Sequence, residues 1–73
     1  MNPEQLKKKI GADCIYSDGR FAQDDKDGIL NLETGEIIRE AFADVIYSNG
    51  TFRQDGKYGI VNLKTGEIIK EAE

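Results

Sequence analysis

Residues 12–42 read ADCIYSDGRFAQDDKDGILNLETGEIIREAF, and residues 43–73 read ADVIYSNGTFRQDGKYGIVNLKTGEIIKEAE. The two stretches align without a gap at a period of 31 residues, and 21 of the aligned positions are identical. Self-similarity at a fixed period is the signature of a repeat architecture. We therefore predict a single domain, 1–73, with an N-terminal segment, 1–11, followed by unit 1 (12–42) and unit 2 (43–73).

The N-terminal segment predicts one short helix. Asn2 suits the capping position, and the proline that follows it suits the first helical position. Three lysines fall in the last turn, where cations favour the helix dipole, and Gly11 is a suitable stop. Leu6 and Ile10 lie four residues apart on one helix face, so we expect them to dock the helix on the rest of the domain.

Both units predict short β-strands, because apolar and β-branched residues alternate with turn residues throughout. We predict strands at 13–17, 20–23, 27–32 and 36–40 in unit 1, and at 44–48, 51–54, 58–63 and 67–71 in unit 2. Asn49-Gly50 and Asp55-Gly56 both predict type I′ hairpin turns, which require positive φ at two residues. Asp25 stands where unit 2 has Gly56, so we expect it to adopt positive φ at a cost of about 1 kcal/mol.

The apolar positions define a predicted core that recurs in both units. Its pairs are Ile15/Ile46, Phe21/Phe52, Ile29/Ile60, Leu30/Val61, Leu32/Leu63, Ile37/Ile68 and Ile38/Ile69. Adjacent apolar residues such as Ile37 and Ile38 indicate that both faces of some strands are covered, as in a strongly curved sheet or a small barrel. The predicted fold is all-β: two tandem four-strand antiparallel meanders forming such a sheet or barrel, with one short N-terminal helix.

The stretch GKYGIVNLKTGEII, residues 56–69, resembles the WG (or KWG) repeat, a family of β-hairpin repeats. Tyr58 stands at the family's tryptophan position, unit 1 has Asp27 there, and the proline that usually follows the isoleucine pair is replaced by Arg39 and Lys70. The resemblance implies a binding or structural module, mostly of bacteria. The family has no agreed catalytic residues, so the resemblance assigns none here.

The composition argues against most catalytic and metal-binding sites. The chain has no histidine, which is the commonest general base and metal ligand, and one cysteine cannot build a zinc site within one chain. Because Cys14 aligns with Val45, we predict that it is a small buried hydrophobe. The acidic run near Asp24 lacks calcium-loop spacing, since Gln23 occupies the first ligand position. We therefore predict a protein that is not an enzyme and uses no metal or cofactor.

The unpaired cysteine and the absence of an apolar leader favour a cytoplasmic location. No apolar run is long enough to span a membrane, so no membrane partner is expected. Lys7–Lys9 is the only run of consecutive basic residues, and the net charge of the chain is −4. We therefore expect no direct contact with nucleic acid.

The negative charge is concentrated in unit 1, whose net charge is −5 against −1 for unit 2. The predicted partner-binding residues are five of the eight acidic residues of unit 1 and the tyrosine aligned with one of them: Asp18, Asp24, Asp25, Asp27, Glu33 and Tyr58. Such a patch favours a protein partner with a basic, nucleic-acid-handling surface. The leading hypothesis is a non-catalytic protein–protein interaction module, in concrete form a small acidic inhibitor from a phage or mobile element. Drift on a solvated face is the alternative.

Two further hypotheses stay open. A structural protein would self-assemble as a homodimer through the β-edge of strand 67–71, because in a longer array the next unit's first strand would cover that edge. A small-molecule binder would use Tyr16, Tyr47 and Tyr58 as a surface aromatic cluster, although such tyrosines also serve as cross-strand packing partners.

Overall fold

A computed structural model describes residues 3–73 and shows a mainly β protein with one short helix and two antiparallel four-stranded sheets. Helix α1 is Pro3–Ile10. The first sheet contains β1 (Cys14–Ile15), β2 (Arg20–Gln23), β3 (Lys26–Leu30) and β4 (Ile37–Ala43). The second sheet contains β5 (Val45–Ile46), β6 (Thr51–Gln54), β7 (Lys57–Val61) and β8 (Ile68–Lys70). Neighbouring strands pair in sequence order in both sheets, so all eight predicted strands are present.

Helix α1 covers one face of the first sheet. Leu6 is only 1% exposed and packs with Phe21 and Leu30, and Ile10 lies at the edge of the same cluster. The helix ends in a Schellman motif, in which Gly11 has a φ of 72° and the Ala12 amide donates to the Lys7 carbonyl at 3.1 Å. The predicted docking of the helix is confirmed, whereas the predicted cap Asn2 lies outside the described residues.

The second sheet covers the other face of the first. The core between the two sheets contains buried residues from both: Ile29, Ala43, Ile46, Phe52 and Val61. Phe42 and Phe52 meet edge-to-face across this boundary, with their ring centroids 5.2 Å apart. The described residues therefore form three layers, in the order helix, first sheet, second sheet.

Of the two predicted forms, a curved sheet or a small barrel, the closed barrel is wrong, because residues 3–73 form two separate open sheets. Both faces of the first sheet are covered, as the adjacent apolar residues of unit 1 indicate, but by separate layers packed on either side. Leu30 and Ile37 face the helix side, while Ile29 and Ile38 face the second sheet. Two open layers satisfy the same apolar pattern that a closed barrel would.

Three predicted burials are also wrong. Ile60 is 40% exposed and Ile69 is 63% exposed, because no layer within residues 3–73 covers the outer side of the second sheet. Cys14 is exposed because it lies on β1, an edge strand of the first sheet. The core instead includes Ala12 and Ala43, which have only a methyl group and gave no strong apolar signal in the sequence.

The hairpin between β2 and β3 and its counterpart in unit 2 have the predicted type I′ conformation. Asp24 and Asp25 have φ values of 52° and 66°, and Asp55 and Gly56 have values of 53° and 78°. The expected positive φ at Asp25 is therefore confirmed.

The type I′ prediction at Asn49-Gly50 is wrong, because only Gly50 has positive φ, at 91°. The Gly50 amide donates to the Tyr47 carbonyl at 3.0 Å, which makes a type I turn followed by a glycine bulge. The physical reason lies in Asn49, whose side-chain oxygen accepts a hydrogen bond from the Thr51 amide at 2.9 Å and so closes a local side-chain turn.

Candidate functional site

The boundary between the two units is held by polar side chains of the first sheet that bind the backbone of unit 2. Asp27 Oδ2 accepts a hydrogen bond from the Ile46 amide at 2.8 Å, and Arg20 Nη1 donates to the Ile46 carbonyl at 2.7 Å. Arg39 Nε donates to the Gly66 carbonyl at 2.6 Å. These three groups surround the buried Ile29, so apolar stacking and backbone hydrogen bonds act together at this boundary.

Arg20 is itself positioned by two neighbours. Its Nε lies 2.7 Å from Asp18 Oδ2, and its guanidinium lies 4.6 Å from the centre of the Tyr16 ring. Partial burial of Asp18 opposes its ionisation, but hydrogen bonds and charge from Arg20 outweigh that effect, so the pKa of Asp18 lies below its ordinary value. The Asp18 carboxylate therefore helps to orient Arg20 toward unit 2.

Nothing within residues 3–73 covers the outer side of the second sheet. We call this surface the open face; its residues are Val45, Tyr47, Thr51, Arg53, Tyr58, Ile60, Ile69, Lys70 and Glu73. Ile60 and Ile69 align with Ile29 and Ile38 of unit 1. Ile29 and Ile38 pack against unit 2, so the side of the first sheet that corresponds to the open face is the side that contacts unit 2. Four of the five large hydrophobic residues that the described chain exposes lie on the open face.

Eight of the nine side chains of the open face form two rows across the strands, because residues directly opposite in an antiparallel sheet point to the same side. Ile69 lies at the register shift between β7 and β8 and belongs to neither row. One row contains Tyr47, Thr51, Ile60 and Lys70. The other contains Val45, Arg53, Tyr58 and Glu73. Tyr58 and Glu73 exchange both backbone hydrogen bonds, at 3.2 and 2.9 Å, so the chain beyond β8 continues to pair with β7.

The structure does not gather the predicted acidic residues into one patch. Asp18 and Glu33 lie at one end of the first sheet, where they line a shallow depression of about 320 Å³ together with Lys64. Asp24 and Asp25 form the turn at the opposite end.

The remaining two predicted site residues occupy different surroundings. Asp27 is half-buried and holds the Ile46 amide, whereas Tyr58 is 51% exposed on the open face.

Asp24 and Asp25 instead belong to an acidic edge with three aspartates that the sequence interpretation did not single out. The acidic edge consists of Asp13, Asp24, Asp25, Asp44 and Asp55. Asp13 Oδ2 accepts from the Asp24 amide at 3.3 Å, and Asp44 Oδ2 accepts from the Asp55 amide at 3.1 Å. The signal was present in the alignment, since Asp13/Asp44 and Asp24/Asp55 are identical pairs at equivalent positions.

Lys26 partly neutralises this acidic edge. It donates a hydrogen bond to Asp44 Oδ1, and that bond raises the pKa of Lys26 and lowers the pKa of Asp44. The charges of Asp55 and Asp25 add to the raised pKa of Lys26. The charge of Arg53 also lowers the pKa of Asp44, but two cations against five aspartates still leave the edge negative.

The three tyrosines do not form a single group. The strand register places Tyr47 and Tyr58 on the open face, in different rows, while Tyr16 lies in unit 1 and packs against Arg20. The ring pair found within residues 3–73 is Phe42 with Phe52.

Residues 3–73 contain neither a metal-binding cluster nor a helix that could span a membrane. No cluster of three or more acidic or cysteine side chains is arranged to hold a metal ion. Separately, α1 falls short of the length and apolar character that a membrane-spanning helix needs.

Comparisons of the chain with protein-family models, with curated proteins and with solved structures found no match. The resemblance of the two 31-residue units to the WG repeat, which residues 56–69 show most clearly, therefore stays a prediction.

Proposed function

We propose that the chain is a non-catalytic protein–protein interaction module that binds its partner by stacking it on the open face. One observation carries this proposal. Ile60 and Ile69 are 40% and 63% exposed, whereas their equivalents in unit 1 pack under the second sheet. A contiguous exposed apolar surface on a small protein marks an interaction site.

The contact between the two units supports this proposal, because it gives an example of what such a face binds. In unit 1 the same side of the sheet receives a protein layer, with Ile29 beneath it and Arg20 and Asp27 on its backbone. Unit 2 has Thr51 and Tyr58 at the positions of that arginine and aspartate. At these two positions the open face therefore has no charged side chain to bind a partner's backbone, which favours contact through side-chain packing there.

A non-catalytic role agrees with the side chains available there. The open face has arginine, lysine, tyrosine and glutamate around two isoleucines, and the chain contains no histidine to act as a general base. An open sheet face of this kind suits a protein layer better than a small substrate, which binds in concave pockets. The resemblance to WG repeats, whose members are arrays of stacked hairpins, points in the same direction.

Site-specific photo-crosslinking tests this function. A photoreactive phenylalanine analogue is placed at Ile69, and in a separate variant at exposed Lys8 on α1 as the control. In the organism that encodes the chain, we expect a defined covalent protein adduct from position 69 and none from position 8. Absence of an adduct at position 69, or equal labelling at both positions, would contradict the proposal.

A second candidate function is docking of a basic protein on the acidic edge, which is the form that the predicted acidic inhibitor takes in this fold. The observation that favours it is the alignment of Asp24 and Asp25 with Asp13, Asp44 and Asp55 along one edge. Clustered charge of one sign steers an oppositely charged partner and raises its association rate. Asp18 and Glu33 lie outside this edge and would contribute little.

Charge reversal tests this second function on the partner that crosslinking identifies. The variant Asp24→Lys/Asp25→Lys is compared with Glu36→Lys/Glu40→Lys, which changes net charge equally at exposed positions elsewhere. We expect the first variant alone to slow association roughly tenfold or more at low salt. Equal rates for both variants would show that the acidic edge has no special role.

A further inference from the structure

The charges of the open face are arranged so that they would be complementary to those of a second copy related by a two-fold axis. Arg53 lies on one side of the central strand β7 and Glu73 on the other, in the same row as Tyr58. Within residues 3–73, ion pairs join Arg20 to Asp18 and Lys26 to Asp44, and neither Arg53 nor Glu73 takes part in one.

A two-fold axis parallel to β7 and lying between two facing sheets would exchange the positions of β6 and β8 while keeping each row in place. Arg53 of one copy would then face Glu73 of the other, twice by symmetry. Ile60 would face Ile60, and Tyr58 would face Tyr58. Aligned packing of two sheets about 10 Å apart is a standard arrangement for sheet faces.

We infer that the open face binds a second copy of this chain, in a symmetric dimer whose two-fold axis runs along β7. This inference rests on the proposed function and names the partner. The opposite end of the layered structure is already covered by α1, whose Leu6 is 1% exposed. In a head-to-tail contact the open face of one copy would bind the first sheet of the next, and α1 would have to be displaced from that sheet. Two copies therefore bind through their open faces, and the assembly is a closed dimer.

The mixed charge of the face favours this occupant over a uniformly basic partner. Arg53 and Lys70 supply positive charge, and Glu73 supplies negative charge within the same surface. A basic partner would meet two cations at this face, whereas a second copy places Arg53 against an anion and Lys70 against Thr51. Complementary charges of this kind fix the register of an interface whose affinity comes from apolar burial.

Sedimentation equilibrium of the purified chain from about 10 µM to 1 mM tests the inference. We expect the mass to rise from 8.2 kDa toward twice that value, since a face this small gives a weak dimer with a constant between roughly micromolar and millimolar. Ile69→Glu should raise the dissociation constant at least tenfold, and Ile69→Leu should leave it within about twofold.

A charge-reversal cycle tests the geometry. Arg53→Glu and Glu73→Arg should each raise the dimer constant roughly fivefold to tenfold, and the double variant should restore it to within about threefold. Arg53 also lies near Asp44, whose pKa it helps to lower, so rescue by the double variant is the decisive comparison. A dimer without rescue would overturn this two-fold arrangement.

The failures of the two proposals are distinguishable. A monomer at 1 mM would overturn the second copy as occupant, while a crosslink from position 69 to a different protein would leave the interaction module standing. A monomer with no crosslink at position 69 would overturn both. A crosslinked species of twice the chain mass in cells would support both.

Discussion

Asp27 and Ile46 join the two sheets directly, since the carboxylate of one accepts a hydrogen bond from the backbone amide of the other at 2.8 Å. This contact explains a difference between the two units that drift would leave unexplained. Unit 1 has an aspartate at this position because a strand lies over it. Unit 2 has Tyr58 there, and no strand within residues 3–73 lies over it.

Replacing Asp27 should therefore destabilise the fold. Asp27→Ala leaves the half-buried Ile46 amide without its acceptor, which we expect to cost about 1–3 kcal/mol. Asp27→Asn retains an acceptor oxygen and should cost less. Urea denaturation measures both values. The matched control is Tyr58→Asp at the equivalent exposed position, which should stay within about 0.5 kcal/mol of the parent chain.

The isoleucines at equivalent positions should differ sharply in their effect on stability. Ile29 is fully buried between the sheets, so Ile29→Ala should cost about 2–4 kcal/mol, and Ile29→Val about 0.5–1.5 kcal/mol. Ile60→Ala removes an exposed side chain and should cost less than about 1 kcal/mol. Thermal unfolding in dilute solution, where the monomer dominates, checks the contrast. Equal costs would mean that the open face is covered in the free chain.

Gly28 should tolerate no side chain. A methyl group there would lie 2.6 Å from Phe21 Cζ and 2.8 Å from the Ala41 amide nitrogen, and the backbone atom cannot move aside as a flexible side chain would. We expect Gly28→Ala to lower the free energy of unfolding by about 1–3 kcal/mol or more. Circular dichroism during urea titration measures the loss. Phe21→Leu combined with Gly28→Ala should recover part of it, if contact with the ring is the main cause.

The fold should lose stability in acid. The pKa of Asp18 is lowered because Arg20 outweighs the opposing effect of burial, and the pKa of Asp44 is lowered chiefly by the hydrogen bond from Lys26. A carboxyl group with a lowered folded-state pKa binds fewer protons in the folded than in the unfolded state. Its stabilisation is therefore present above about pH 4 and is lost as pH falls below that value.

We expect urea midpoints to change little between about pH 7 and pH 5 and to fall from about pH 4 downward. Asp44→Asn should lower the midpoint at neutral pH and make the decline in acid shallower, because that titration is removed. An unchanged acid profile in both Asp44→Asn and Asp18→Asn would show that these two carboxylates do not carry the pH dependence.

Local sequence signals predicted the strands well and the layer order poorly. The predicted strands 20–23 and 51–54 match β2 and β6, because turn residues border them closely. Adjacent apolar pairs indicated that both strand faces are covered, but the same pattern in unit 2 leaves Ile60 and Ile69 exposed. Whether a face is covered depends on which layer comes next, and that information is not local.

The site was predictable only in part, for the same reason. Alignment of the units singled out Asp27 and Tyr58 as a difference that needs an explanation. The explanation, a strand from unit 2 crossing over unit 1, required the three-dimensional structure. The predicted homodimer through the edge of strand 67–71 stays a prediction. Its premise, that the next unit's first strand covers such an edge, does not hold between units 1 and 2, because β4 and β5 belong to different sheets and the units meet through their faces.

The hairpin turn at Asp24-Asp25 offers a reciprocal test of backbone strain. Asp25 has a φ of 66°, and its equivalent Gly56 has a φ of 78° with open space where a Cβ would lie. Asp25→Gly should raise stability by up to about 1 kcal/mol, and Gly56→Asp should lower it by a similar amount, since aspartate tolerates the left-handed region only at a cost.

Charge is the confounding factor in this exchange, because both turns lie on the acidic edge. Measurement in about 1 M salt, where the screening length is roughly 3 Å, separates backbone strain from repulsion. Opposite changes of similar size at high salt would assign the difference to φ. Changes that vanish at high salt would assign it to the charge of Asp25 beside Asp24, and the left-handed turn would then cost the fold little.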